Sequence, residues 1–226
     1  MALCAVVYFI VQPTPLSSTR DDVVFFIDHA AIPKELVNHR PLTGCEIAEQ
    51  PSGGVGQRAN GCDVPVSPGK PVWFAAIASL FMHGSITHLL GNLVFFWVFG
   101  NNVEDRLKPV GFLLFYLVGG VVATLGHVWV DPNSVIPVVG ASGSIAAVMG
   151  AYVVWWPRAR VQTLIFFFLS LRLPAALVLL AWFTLQFFTG GESGVAWVAH
   201  VAGFIFGALV ATVLRGRSTA RPARTT

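Results

Sequence analysis

The 226-residue chain is 55% hydrophobic and only 11% charged, whereas a soluble domain carries about 25% charged residues. A water-soluble fold could not hide that much apolar surface, so composition excludes a soluble enzyme or binding module and points to one polytopic helical membrane domain. The net charge of +3 comes from cations at the ends of apolar stretches, among them Arg106, Lys108, Arg158, Arg160, Arg172 and Arg215; these mark the cytoplasmic side, and without interleaved aromatics they exclude nucleic acid as a partner.

Residues 1–12 are apolar but only about half the length that crosses a bilayer. No cleavage site with a basic front end follows, so the segment is expected to be a partial first transmembrane helix, cut short by truncation or a misplaced start. Residues 13–71, rich in Pro, Gly, Asp and Glu, read as an extracytoplasmic loop. Cys45 and Cys62 lie in it. A disulfide would persist in that compartment, and pairing and free thiols both stay open. The absence of Cys-x-x-Cys or a tight His/Cys cluster leaves no metal site expected.

Val72 to Phe81 is apolar but too short to cross, and is expected in the outer interface with Trp73 as its anchor. The first full span is Ser85 to Asn101. It carries His88 and Asn92, four apart and therefore on one helix face, with His83 just before it. Polar side chains inside a span are by default a functional site, although a His and an Asn also serve as hydrogen-bonding links between helices. Gly111 to Val130 is the next span. Val135 to Gly140 then re-enters apolar sequence with Pro137 and Gly140, which argue against helix. Irregular backbone at depth is tolerated only where protein buries it or water reaches it, which implies water near Ser142. Ser142 to Trp156 reads as a helix, and Val161 to Leu171 as an apolar run of unassigned depth. Pro174 to Phe188 and Val195 to Leu214 are further spans, separated by an external turn at Gly190 to Gly194, and residues 215–226 form a basic cytoplasmic tail.

Three of these helices descend inward, those carrying His88, Ser142 and His200. Measured from inner-end markers at Asn102, Trp156 and Arg215, all three groups lie about 21–23 Å above the inner boundary at 1.5 Å per residue. They therefore share one layer. Gly203 and Gly207 on the last helix and Gly143 on the serine helix form small-residue stripes whose packing would carry His200 toward the start of the serine helix, near Gly140.

The chemistry follows from that layer. Ser142 needs a base, and His200 is the fitting type. An oxyanion would need donors, and the Ser142 N–H, the Asn92 amide and a His88 N–H are available. No Asp or Glu lies near this layer in a descending helix, so a Ser–His dyad is expected without a third member. Ser144 is the rival hydroxyl, but two helical positions turn it about 200° away.

Gly140-Ala141-Ser142-Gly143, His83-x4-His88-x3-Asn92 and Ala199-His200-x2-Gly203-x3-Gly207, in this order, resemble the rhomboid family of intramembrane serine proteases. The resemblance covers roughly Val72 to Leu214. It implies a six-helix bundle whose catalytic membrane core spans residues 72–214, with Ser142 as nucleophile, His200 as base, His88 and Asn92 at the oxyanion and His83 near the substrate or oxyanion region. It also implies a multi-pass protein of the bacterial cell membrane with a cytoplasmic C-terminus. Such a protein would cleave transmembrane segments near the outer leaflet, without metal, nucleotide or other cofactor. Where many relatives carry an aromatic residue packing on the histidine, this chain has Ala146. The main alternative is a rhomboid-like protein that binds membrane helices without cutting them. A transporter or channel is a further alternative, which the absence of charged residues along the descending helices argues against.

Overall fold

The computed structural model describes residues 1–13, 20–48, 62–165, 169–188 and 196–217. The turn expected at Gly190 to Gly194 and most of the basic tail lie outside them. The described chain is predominantly helical. One helix, Ile86–Val130, is long and apolar enough to cross a membrane, and shorter apolar helices accompany it. Contacts divide the chain into two compact units, one of Met1, Leu90–Gly126 and Ser142–Thr226, the other of Ala2–Leu89 and His127–Ala141.

The first unit is built on helices α6 (Ile86–Val130), α7 (Ser142–Trp155), α8 (Ala175–Gln186) and α9 (Trp197–Val213), with α6 entering it at Leu90. α6 absorbs two expected spans into one element. It breaks at Lys108, whose φ of 66° and ψ of 159° are non-helical, because Pro109 lacks an N–H and disfavours helical geometry in the residue before it. The arms fold back on each other: the Phe96 ring lies 5.8 Å from Phe112 and 6.0 Å from Tyr116. On the first arm Leu90, Val94 and Trp97 stay exposed on one face, a surface matched to hydrocarbon and not to water.

α7 is the buried centre of this unit, with Gly143 through Tyr152 all buried, as expected of a helix apolar on every side. α9 packs on it backbone to backbone. A Cβ at Gly203 would overlap the Gly143 carbonyl, one at Gly207 the Ala147 carbonyl, and one at Gly150 the Phe204 carbonyl. Trp155 closes the other end of the pair by donating its Nε1–H to the Ala211 carbonyl at 3.0 Å. The run from Val161 to Leu171, left without a depth by sequence, folds as an antiparallel hairpin of β1 (Arg160–Ile165) and β2 (Leu169–Pro174). Val161, Thr163 and Ile165 place β-branched residues two apart, the period of a strand.

The second unit begins with α1 (Ala2–Val6), continued by a π-helix at Val7–Val11. Where a loop was expected, α2 (Arg20–His29), α3 (Pro33–Asn38) and α4 (Gly44–Ala48) form. Local signals explain them. Pro33 opens α3, His39 closes it in the left-handed region at φ 55°, and Thr43 and Glu46 bond reciprocally as a capping box on α4. Ile27, Ile32, Leu42 and Ile47 supply a small core against which Val135 packs. Cys45 and Cys62 are joined in a disulfide. Buried Lys70 pairs with buried Glu35 and also donates to the Ile27 carbonyl at 2.7 Å. α5 (Val72–Ala78) follows.

This unit also holds the irregular approach to Ser142. The Lys34 N–H donates to the Ser134 carbonyl at 3.0 Å, the Val138 N–H to Ala31 at 2.8 Å, and the Gly140 N–H to Ser79 at 2.9 Å. Gly140 then turns at φ 120°, a conformation open to glycine and unfavourable for a residue with a Cβ.

Candidate active site

Ser142 is the first residue of α7, so its N–H is among the donors that a helix start leaves without an intrahelical acceptor. Gly203 of α9 rests on the Gly143 backbone, and His200, three residues earlier and on the same face, meets Ser142. His200 Nε2 lies 2.7 Å from Ser142 Oγ. Both residues are half-buried. Ser144, the rival hydroxyl, is fully buried, and its Oγ has no hydrogen-bond partner among the described residues.

The other ring nitrogen, His200 Nδ1, lies 2.7 Å from Gln186 Oε1. The dyad expected from sequence has no third member, because no carboxylate lies near this layer in the descending helices, and a lone glutamine near the end of an apolar helix resembles a capping or interfacial residue. Trp182, one turn before Gln186, is not expected at the site from sequence either. Its ring lies 5.9 Å from the His200 ring, tilted by 39°. An aromatic ring beside His200 is thus supplied from α8.

Asn92 lies on the first arm of α6. It is buried, and its amide nitrogen has no hydrogen-bond partner among the described residues. A buried donor left open in this way is suited to a charge that forms during reaction. His83 and His88 belong to the other unit, where their rings make an edge-on contact at 5.2 Å. The Gln12 side chain clasps the His83 backbone, donating to its carbonyl at 2.9 Å and accepting from its N–H at 3.0 Å. The buried His83 ring makes no well-aligned hydrogen bond among the described residues, and burial, assisted by neighbouring His88, lowers its pKa to about 4. It is therefore neutral at pH 7. Cys45, Cys62 and Asp63 come close enough for a metal, but the disulfide removes the thiolates that would bind one.

Comparison with known proteins agrees with the family that the sequence resembles. Residues 70–217 match the Rhomboid domain. The rhomboid protease GlpG of Yersinia pestis is 29% identical over 137 residues, 60% of this chain and 46% of that protein. The mitochondrial presenilin-associated rhomboid-like protein A of Danio rerio is 29% identical over 133 residues, 58% of this chain and 35% of that protein. The chloroplastic rhomboid-like protein 11 of Arabidopsis thaliana is 37% identical over 75 residues, 33% of this chain and 26% of that protein. The alignments thus span less than half the length of each of these relatives. With the domain match extending over more than half of the sequence, the chain belongs to the rhomboid family, whose members are integral membrane proteins.

Proposed function

We propose that this chain is an intramembrane serine endopeptidase that cleaves transmembrane segments of other membrane proteins near the outer leaflet. The observation that carries the reading is the 2.7 Å contact between Ser142 Oγ and His200 Nε2, a hydroxyl beside a base in a chain of this family. In the proposed reaction His200 takes the Ser142 proton as Oγ attacks the scissile carbonyl. The tetrahedral oxyanion accepts from the Ser142 N–H and the Asn92 amide. Collapse breaks the C–N bond, and His200 passes its proton to the leaving amine. Water, activated by the same histidine, then releases the acyl group. Roles for His88 as a further oxyanion donor and His83 near the substrate rest on the motif alone.

The same reading takes residues 72–214 as the catalytic membrane core, 13–71 as extracytoplasmic and the C-terminus as cytoplasmic. The cations at Arg106, Arg158, Arg160 and Arg172 support that orientation. A test is incubation of the full chain, in liposomes, with a single-span substrate carrying small residues and a helix-breaking residue in its outer half. The parent is expected to cut within the span and His200→Ala to leave it intact. Equal cutting by both, or by neither, would remove the reading, and stable substrate capture without cutting would replace it with a helix-binding role.

A further inference from the structure

Gln186 is the side chain at this site to which the serine and histidine chemistry gives no task. We propose that Gln186, with Trp182 one turn before it, is a positioning residue that fixes the tautomer and orientation of His200, making the site a Ser–His–Gln arrangement with a neutral third member. The proposal rests on reading Ser142 and His200 as a protease pair.

Trp182 and Gln186 are four apart on α8 and therefore share the face that meets α9. The Gln186 amide is anchored by its own helix, since Nε2 donates to the Trp182 carbonyl at 3.1 Å. That bond decides which end of the amide looks outward, and Oε1 is the atom presented to His200 Nδ1 at 2.7 Å. A carbonyl oxygen only accepts. Nδ1 must then carry the proton, and in the neutral ring this leaves the lone pair on Nε2, the nitrogen 2.7 Å from Ser142 Oγ. This is the tautomer that a general base needs.

The choice of an amide fits the depth of the site. A carboxylate in the same place would orient the ring equally well but would bring a net charge into the hydrocarbon layer, which is costly. Gln186 is buried and neutral. When His200 takes the serine proton, its Nδ1–H stays on the ring and the bond to Oε1 becomes charge-assisted. No proton moves onto Gln186. Trp182 holds the ring from the side. Its ring lies 5.9 Å from that of His200, 6.2 Å from that of Phe95 and 6.3 Å from that of Phe204, so it is itself held between neighbouring aromatic rings. A glutamine that served only as a link between helices would contribute to stability without governing the tautomer of His200 or the reactivity of Ser142.

The test uses the full chain in detergent micelles with 15N-labelled histidine, the His200 signals being identified by their loss in His200→Ala. Gln186→Met keeps the length of the side chain and removes the acceptor, whereas Gln186→Glu keeps an acceptor. The parent is expected to hold the Nδ1–H tautomer. Gln186→Met is expected to shift His200 toward the Nε2–H form and to slow fluorophosphonate labelling of Ser142 about tenfold or more, with the KM for a model substrate and the thermal midpoint little changed. Gln186→Glu is expected to retain both tautomer and labelling. A parental tautomer and labelling rate in Gln186→Met overturns the proposal while leaving the protease reading standing. If Gln186→Met does not fold, loss of the Nδ1–H tautomer and of labelling in folded Gln186→Glu overturns it instead. A parent that holds the tautomer but neither labels nor cleaves removes the protease reading, and the positioning role with it.

Discussion

Gly207 of α9 lies so close to the Ala147 carbonyl of α7 that any side chain at position 207 would overlap that oxygen. A backbone oxygen in a buried helix cannot swing aside as a flexible side chain can. Gly207→Val is therefore expected to separate α7 from α9, to destabilise the fold by at least the roughly 1–3 kcal/mol typical of overpacking, and to lower activity by moving His200 from Ser142. Gly91 is the control, because nothing lies within 4 Å of a Cβ placed there. Gly91→Ala is expected to be neutral or stabilising by up to about 1 kcal/mol. Thermal melts of both variants in one detergent check the contrast.

Asn92 is expected to act in the transition state more than in substrate binding. Removing one oxyanion donor lowers kcat by about 10²–10³-fold, so Asn92→Ala is expected to lose kcat on that scale with little change in KM. Its melting temperature is expected to hold, since the lost amide nitrogen has no partner among the described residues. Steady-state kinetics on a model transmembrane substrate separate the two parameters.

The contact between the α3–α4 link and α4 carries a pH-dependent contribution to stability. The Arg40 guanidinium bonds both oxygens of Glu46 at 2.9 Å, and it is the main cause holding the carboxyl at about 2, below its ordinary 4.5, with burial opposing it and the Thr43 N–H, the Arg40 charge and Lys34 assisting. A depressed folded-state pKa stabilises fully above the unfolded value and loses that contribution as pH falls through the folded value. The stability difference between the parent and Glu46→Gln is therefore expected to be constant above about pH 5, to shrink between 4.5 and 2, and to vanish below. Melts of both proteins across pH 2–7 read it directly.

The Lys70–Glu35 pair is nearly inaccessible to solvent, and burial lowers the Lys70 pKa against the pull of Glu35. Removing one partner strands the other charge, at a loss of about 3–5 kcal/mol. Lys70→Met is expected to fall in that range. Lys70→Met with Glu35→Gln is expected to recover part of it, which a double-mutant cycle by chemical denaturation measures.

Much of this fold is legible in the residues themselves, because hydrocarbon imposes few options. Apolar length marked most of the helices of the first unit, and the layer expected to hold His88, Ser142 and His200 brought the serine and histidine forward, with Asn92 one turn after His88. Helices α2, α3 and α4 escaped because their core rests on a few isolated residues such as Ile27, Leu42 and Ile47, with no long hydrophobic period, and because the Lys70–Glu35 pair joins positions far apart in sequence. The hairpin at Arg160–Pro174 escaped because an apolar run between two arginines is ambiguous between helix and strand at that length. Gln186 and Trp182 escaped for a related reason: on α8 neither differs in type from an interfacial residue, and only the packing of α8 beside α9 brings them to His200.

Fluorophosphonate labelling of the full chain decides whether Ser142 is a nucleophile activated by His200, with the modified residue located by mass spectrometry in the parent, Ser142→Ala, Ser144→Ala and His200→Ala. The expected result is one adduct on Ser142 in the parent and in Ser144→Ala, none in Ser142→Ala, and strongly slowed labelling in His200→Ala. An adduct on Ser144, labelling that survives in Ser142→Ala, or a folded parent that takes no label while cleaving no substrate would contradict it.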